Sequence, residues 1–336
     1  MPRFQAMPFP SRRPLLGLLL ALTLPLPALA AQWEPALQAI EALLARHSHD
    51  PQALQGERFE RLRAELRQLG RSTPEPAAFI EGFNRLWSEL GPFSHVRLLP
   101  RQGSAEQFAQ HLDQMRVGPR AVRLSWNADI AVLKVSTLMG QDTLEALGAA
   151  YREIAARPTR ALVIDLRDNP GGAFAVRPLV GHLIAEPVDA GVFLPRRSSQ
   201  APSRSELQAS PAWQGWSLQS FWADVQEKPF TRIRFEPVAP HYAGPVAVLT
   251  SARTASAAEM AVDALLGAGR VRVLGERTAG QMLTQKPFEV PGTPFMLMLP
   301  VADYHGWHSG RIEGRGIAPT QSMPAAAALD AALSSF

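Results

Sequence analysis

The chain has 336 residues and contains no cysteine. This absence excludes a disulfide framework, a thiolate nucleophile, a cysteine-based zinc site and a lipid attached to an N-terminal cysteine. It does not fix the compartment, because chains without cysteine occur in both oxidising and reducing environments. Any nucleophile in this protein must therefore be a residue of another type.

Lysine is nearly absent and is limited to Lys134, Lys228 and Lys286. Arginine supplies the rest of the positive charge, and the formal net charge of the chain is +4. Three of the arginines lie in an N-terminal segment that we expect to be removed, which leaves the remainder close to neutral. A nearly neutral chain without a basic stripe predicts no nucleic-acid partner.

The apolar run at Leu15–Leu26 is short for a membrane span and is interrupted by proline. Two arginines precede it at residues 12–13, and a small-x-small site follows at residues 28–30. This order is typical of a secretory signal, so we predict a signal peptide over residues 1–30 and export to the periplasm or medium. The sequence at residues 11–16 also fits a twin-arginine signal, and Sec export remains the alternative. An uncleaved anchor is a further alternative, but we expect no stable membrane span after cleavage.

Hydrophobic spacing divides the remaining chain into two parts. Residues 32–90 carry apolar side chains at helical spacing with a helix stop at Gly70, and a connection follows at 91–118, which predicts a helical N-terminal domain over residues 31–118. From residue 119 to 336, short strands alternate with helices, which predicts an α/β core. The predicted strands lie at 130–135, 160–166, 246–249, 271–274 and 295–302. The segment at about 195–240 is rich in proline, serine and tryptophan, and we interpret it as an insertion.

A serine stands where one predicted strand passes into a helix. Ser256 follows the strand at 246–249, and the predicted helix begins at Ala257. The helix dipole there favours developing negative charge, and the N–H of Ala257 is free to donate to an oxyanion. Ser256 followed by Glu259 is also typical of an ordinary capping box, so this pattern alone leaves both interpretations open.

A second loop, Asn-Pro-Gly-Gly at residues 169–172, follows the predicted buried strand at 160–166. Glycine allows a substrate carbonyl to approach the backbone closely. The N–H of Gly171 or Gly172 is therefore a candidate second oxyanion donor, although the same residues also suit a simple tight turn.

Five motifs occur in a fixed order along the chain. They are Asp-Leu-Arg-Asp-Asn-Pro-Gly-Gly at 165–172, Gly-Pro-Val-Ala-Val-Leu at 244–249, Thr-Ala-Ser-Ala-Ala-Glu at 254–259, the glycine-bounded stretch at 275–280 and the glycine-rich stretch at 312–319. Over about residues 120–320 this set resembles the tail-specific (C-terminal processing) peptidases, a family that includes the tricorn core protease and the interphotoreceptor retinoid-binding protein.

The resemblance implies a Clp-protease/crotonase-like β-β-α spiral core and a serine-peptidase activity on a protein or peptide, with no cofactor. It implies that Ser256 is the nucleophile and that the oxyanion hole is formed by Ala257 together with Gly171 or Gly172. The resemblance leaves the oligomeric state open.

The family divides over the base that activates the serine. Tail-specific members place a lysine in the sequence Thr-x-Gly-Lys, but here the corresponding residue is Gln281, which cannot accept a proton. Lys286 comes five residues late, and a shifted base loses its hydrogen-bond geometry, so Lys286 is kept only as an alternative.

The tricorn-like branch uses a histidine that is oriented by a glutamate. Residues 90–98 resemble the histidine segment of that branch, which implies His95 as the base and Glu313 as the orienting acid. Ser94 is the candidate supporting group beside them. His305 and His308 are rival bases, and because no third ligand stands at a matching spacing, we expect no metal site there.

The chain departs from the tail-specific pattern in two places. Too few residues separate His95 from the first core strand to hold the PDZ domain of those members, so recognition of a substrate's C-terminus is not implied. The segment at 195–240 contains three candidate substrate-binding tryptophans, Trp213, Trp216 and Trp222, whose alternative role is to pack the insertion onto the core.

These observations together predict an exported serine endopeptidase. A non-catalytic ligand- or peptide-binding protein on the same fold is the main alternative, because fold does not fix function. An enzyme acting on acyl thioesters, as crotonase-like proteins do, is a third possibility that would not need Ser256.

Overall fold

The structure is a computed structural model that describes residues 32–196 and 202–336. The predicted signal peptide at 1–30 lies outside these residues. Within them, no helix has both the length and the apolar character that crossing a membrane requires.

The N-terminal part begins with three helices. They are α1 (Glu34–His47), α2 (Glu57–Ser72) and α3 (Pro76–Leu90). Gly70 does not end α2 as predicted, because the helix continues to Ser72. Gly70 is buried, and a β-carbon built on it would lie 3.4 Å from Leu37 Cδ1, so close packing with α1 accounts for this glycine.

The remaining elements alternate between short strands and helices. In chain order they are β1 (Arg97–Pro100), α4 (Ala105–Gln114), β2 (Val122–Asn127), β3 (Ile130–Val135), α5 (Gln141–Ala155), β4 (Ala161–Asp165), α6 (Val176–Gly181), β5 (Val188–Pro195), α7 (Arg204–Ala209), α8 (Leu218–Glu227), β6 (Thr231–Phe235), β7 (Val246–Thr250), α9 (Ala257–Gly267), β8 (Arg272–Gly275), β9 (Leu283–Glu289), β10 (Phe295–Gly306), β11 (Gly310–Arg311), β12 (Gln321–Ser322) and α10 (Ala328–Ser334).

One sheet is mainly parallel and has the strand order β12-β8-β7-β4-β3-β2. Only the β2–β3 pair in it is antiparallel. Strands β4 and β7 are buried along their whole length, as expected when both faces of a parallel sheet are covered. The strands predicted at 130–135, 160–166, 246–249 and 271–274 are β3, β4, β7 and β8.

The other sheet is antiparallel, with the order β1-β10-β5-β6 and with β9 and β11 also paired to β10. The predicted strand at 295–302 continues to Gly306, because β5 pairs with its last residues. Part of the segment interpreted as an insertion, β6, is a strand of this sheet and pairs with β5. This pairing depends on residues far apart in sequence and leaves no local pattern.

The two sheets enclose helices α5, α6 and α9 in the largest hydrophobic cluster. Helix α10 covers the opposite face of the parallel sheet. The three N-terminal helices pack on β9 and β10 of the antiparallel sheet. The mixed α/β fold predicted from the sequence is confirmed. The segment that carries His95 is attached to the core through β1, which pairs with β10.

A cluster of three aromatic side chains packs the N-terminal helices against β10. The Trp33 ring lies 5.1 Å from the Phe79 ring and 5.0 Å from the Phe295 ring, and Phe79 and Phe295 are 5.6 Å apart. Phe79 and Phe295 are fully buried. Because aromatic rings bury large areas, this group makes a large contribution to docking of the helices.

The Phe295→Ala substitution should lower the free energy of unfolding by about 3–5 kcal/mol, because it leaves a cavity between β10 and the N-terminal helices. Urea unfolding followed by circular dichroism measures this loss. Val117→Ala is the control, since the Val117 side chain is exposed, and it should stay within about 0.5 kcal/mol of the unaltered protein. A loss below about 1 kcal/mol for Phe295→Ala would contradict the proposed docking role.

Candidate active site

A cleft of about 540 Å³ opens between the N-terminal segment, the parallel-sheet loops and the aromatic segment after β5. The predicted residues His95, Ser256, Ala257, Gly171 and Gly172 all line it. The three tryptophans predicted to bind substrate, Trp213, Trp216 and Trp222, line the same cleft. The tertiary structure therefore brings together residues that are up to 162 positions apart in the sequence.

Backbone strain is concentrated around this cleft. Four non-glycine residues of the described chain have positive φ, and His95 (64°), Trp216 (44°) and Ser256 (54°) line the cleft. Such conformations cost about 1–3 kcal/mol each and persist only where surrounding contacts impose them. The sharp turn at Ser256 between β7 and α9 is the strand–turn–helix arrangement that exposes a nucleophilic serine.

The carboxylate of Glu259 holds the turn at Ser256. It accepts the N–H of Ser256 at 3.0 Å, while the N–H of Glu259 donates to the Ser256 carbonyl oxygen at 2.8 Å. It also accepts the Thr278 hydroxyl at 2.5 Å and the N–H groups of Gly280 at 2.8 Å and Gln281 at 3.0 Å. Burial raises the pKa of this carboxyl, and these four donors oppose the rise. Glu259 was recognised in the sequence only as half of a capping box, and its contacts with residues 278–281 were missed.

The two glycines of the other loop differ in what their N–H groups do. The N–H of Gly171 donates to the side chain of Asn169 at 2.8 Å, and the N–H of Ala255 donates to the Asn169 carbonyl oxygen at 3.0 Å. Gly171 is buried against the turn of Ser256, since a β-carbon built on it would lie 2.6 Å from Ser256 Cβ. Gly172 is exposed, and its N–H has no hydrogen-bond acceptor among the described residues.

Ser94 connects Glu313 to His95. The carboxylate of Glu313 accepts the N–H and the hydroxyl of Ser94, each at 3.1 Å. The Ser94 hydroxyl oxygen lies 2.5 Å from His95 Nδ1. The hydrogen bonds described for these residues run from Glu313 through Ser94 to His95, with no direct bond between Glu313 and His95.

The imidazole of His95 is held in its neutral form. Burial lowers the pKa of His95 to about 4, and the nearby charge of Arg97 and the neighbouring His49 contribute to the lowering. Glu313 is also buried, which raises its pKa, whereas hydrogen bonds from Ser94 and Met282 lower it.

Three successive backbone N–H groups join the two carboxylates. Those of Gly280 and Gln281 donate to Glu259, and that of Met282 donates to Glu313 at 2.7 Å. The segment at 280–282 therefore connects the turn of Ser256 with the group that holds His95.

The alternative bases lie elsewhere. Lys286 lines a separate small cavity, and its Nζ lies 5.9 Å from the centre of the Phe288 ring. His305 Nε2 is 3.8 Å from Asp303, and His308 lies against Gly267; neither histidine lines the cleft of Ser256. The described residues contain no group of acidic and histidine side chains suited to a metal ion.

Sequence reasoning overlooked several residues of this region. Asn169 fixes the glycine loop through its side chain, Arg97 follows His95 at the edge of the cleft, and Phe174 contributes to the aromatic wall. Only Asn169 left a usable signal, because an asparagine two residues before a glycine often accepts that glycine's N–H.

Replacing Glu259 by glutamine should lower the free energy of unfolding by at least about 2 kcal/mol. The amide has a single acceptor oxygen and turns an N–H₂ toward N–H or O–H donors, which leaves buried donors unpaired. Glu65→Gln is the matched control, because Glu65 is exposed and should tolerate the change within about 0.5 kcal/mol. Chemical denaturation of both variants compares them, and equal stabilities would contradict the role given to Glu259.

The family model of peptidase family S41 matches residues 129–323, more than half of the chain. The fold is similar to that of a lipoprotein from Streptococcus agalactiae, with 16% identity over 90% of this chain and 94% of that one and a TM-score of 0.56. It is also similar to the photosystem II D1 C-terminal processing protease, with 15% identity over 87% of this chain and 93% of that one and a TM-score of 0.51. Identities this low show a shared fold, and the family match confirms the resemblance found in the sequence. The chain belongs to peptidase family S41, a family of serine peptidases.

Proposed function

We propose that the protein is an exported serine endopeptidase that forms its acyl-enzyme on Ser256. His95 is the base, and Glu313 orients it through Ser94. The observation that carries the proposal is the hydrogen-bond path from Glu313 through Ser94 to His95, which ends in the cleft that Ser256 lines.

The chemistry of the path fixes where its protons lie. An ionised Glu313 can only accept, so the Ser94 hydroxyl donates to it. The Ser94 oxygen is then the acceptor for a proton on Nδ1 of His95. This tautomer leaves the lone pair of Nε2 free to take the proton of Ser256.

Two backbone N–H groups are the proposed oxyanion hole. The N–H of Ala257 lies at the start of α9, and that of Gly172 is the free member of the glycine pair. The N–H of Gly171 is already bonded to Asn169, so its part is to let the loop approach the nucleophile turn closely.

The proposed reaction has two halves. Ser256 attacks the peptide carbonyl while His95 takes its proton, and His95 then gives that proton to the leaving amine. A water molecule, activated by the same histidine, hydrolyses the ester bond and regenerates Ser256. A non-catalytic binding protein would not require a strained serine in the same cleft as a histidine whose tautomer is set by Ser94, which is why we favour the enzyme.

Export rests on the sequence of residues 1–30, with its basic start, short apolar run and small-x-small site. The substrate would then be a protein or peptide that the enzyme meets in the periplasm or the medium.

The Ser256→Ala variant should lose peptide hydrolysis and covalent labelling by a fluorophosphonate, because no other residue is proposed to form the covalent bond. Gel detection of a fluorescent fluorophosphonate, with intact mass spectrometry, measures the labelling. Ser125→Ala is the control, since Ser125 lies on β2 outside the cleft and should label as the unaltered protein does. Labelling that survives in Ser256→Ala would refute the assignment.

The labelling rate should depend on the neutral form of His95. Because the pKa of His95 is lowered to about 4, the rate should hold as pH falls through 6.5 and should drop only near pH 4, by about tenfold per unit below it. The second-order rate constant between pH 3 and 8 measures this, with circular dichroism confirming at each pH that the protein stays folded. A midpoint at 6.5 or above would contradict the lowered pKa of His95.

A further inference from the structure

The cleft has an uneven distribution of charge. Among the described residues that line it, Arg97 is an arginine, and none of the others is a lysine, arginine, aspartate or glutamate. The Arg97 side chain is exposed and has no ion pair or hydrogen bond within the described chain. A guanidinium without a counter-ion beside the base attracts an anion and repels a cation.

Another part of the cleft wall is aromatic. The ring of Trp213 lies 5.5 Å from Phe174, 5.0 Å from Trp216 and 5.1 Å from Phe221. Trp213 and Phe221 are nearly fully buried and pack into the core. Phe174 and Trp216 are only partly buried. A wall of this kind gains most from a large apolar side chain that removes its exposed surface from water.

Both features lie close to the proposed chemistry. Arg97 is two residues after His95, and Phe174 is two residues after Gly172. A peptide held at Ser256 therefore meets the aromatic wall and the guanidinium with residues near its scissile bond.

We infer that the substrate of this cleft is a peptide that places a bulky apolar side chain against Phe174, Trp213 and Trp216 and a carboxylate on Arg97. This inference rests on the proposed function, since it names the substrate class for the same site. The carboxylate is either an acidic side chain or the C-terminus of the peptide, because the two present the same group to a guanidinium.

A bound carboxylate also affects the base. The charge of Arg97 contributes to the low pKa of His95, and a carboxylate that neutralises this charge relieves that contribution. A substrate with the matching group would thus strengthen the base that acts on it.

The test begins with a randomised, internally quenched peptide library, whose cleavage sites are read by mass spectrometry. The expected sites have an aromatic or large aliphatic residue on one side of the cut and a carboxylate within a few residues. Enrichment of lysine or arginine, or of small residues only, would overturn the inference.

Three peptides that differ only in glutamate, glutamine or lysine at the enriched acidic position isolate the charge. For the unaltered protein, kcat/KM should be about fivefold higher with glutamate than with glutamine, and lowest with lysine. Arg97→Glu should reverse the order of the glutamate and lysine peptides. Arg85→Glu is the matched control, since Arg85 is exposed on α3 outside the cleft, and should leave the order unchanged. An unchanged order in Arg97→Glu would refute the role of Arg97.

The aromatic wall has a separate readout. Trp216→Ala should reduce the ratio of kcat/KM for a phenylalanine peptide to that for its alanine analogue, whereas an unchanged ratio would refute the wall as a subsite.

Amidated and free-acid versions of the glutamine peptide show which source supplies the carboxylate. If the unaltered protein reacts with a fluorophosphonate at Ser256 but lacks these preferences, the inference fails alone; if it neither labels nor cleaves, the proposed function fails with it.

Discussion

Two buried carboxylates, Glu259 and Glu313, share one stretch of backbone, and the rest of the site depends on that arrangement. A buried carboxylate is costly unless several donors satisfy it. The N–H groups of residues 280–282 provide such donors to both, so neither carboxylate can move without disturbing the other. One carboxylate fixes the turn of Ser256 and the other holds Ser94, which contacts His95.

This arrangement also explains how the chain can differ from the lysine-dependent members it resembles. Those members place their lysine base at the position that corresponds to 281. Here the side chain is a glutamine, and the backbone N–H of Gln281 donates to the Glu259 carboxylate. The proposed base instead comes from the N-terminal segment. That segment is joined to the core by the pairing of β1 with β10 and by the aromatic group around Phe295, so the stability of this docking and the integrity of the site are coupled.

Much of the core could be predicted from the sequence, because β3, β4 and β7 are continuous apolar segments bounded by turns. The contact between Ser256 and Glu259 could also be predicted from the sequence, because a capping box is a local pattern. Ser94 could be named as a supporting group because it stands beside the histidine, but its bridge to Glu313 could not be predicted, because it depends on a hydrogen bond between residues 219 positions apart. Strand β6 was missed for the same kind of reason, since its pairing with β5 is long-range.

The sequence by itself determined that the chemistry cannot use a thiol and that position 281 cannot supply a lysine base. It also fixed the strand–turn–helix that presents Ser256, since apolar periodicity and turn residues act locally. Tertiary structure decided which histidine enters the cleft, which glycine keeps a free N–H and which groups surround Arg97. These depend on distances between chain segments that sequence spacing does not specify, because burial and hydrogen bonding are set only when the sheets and helices pack together.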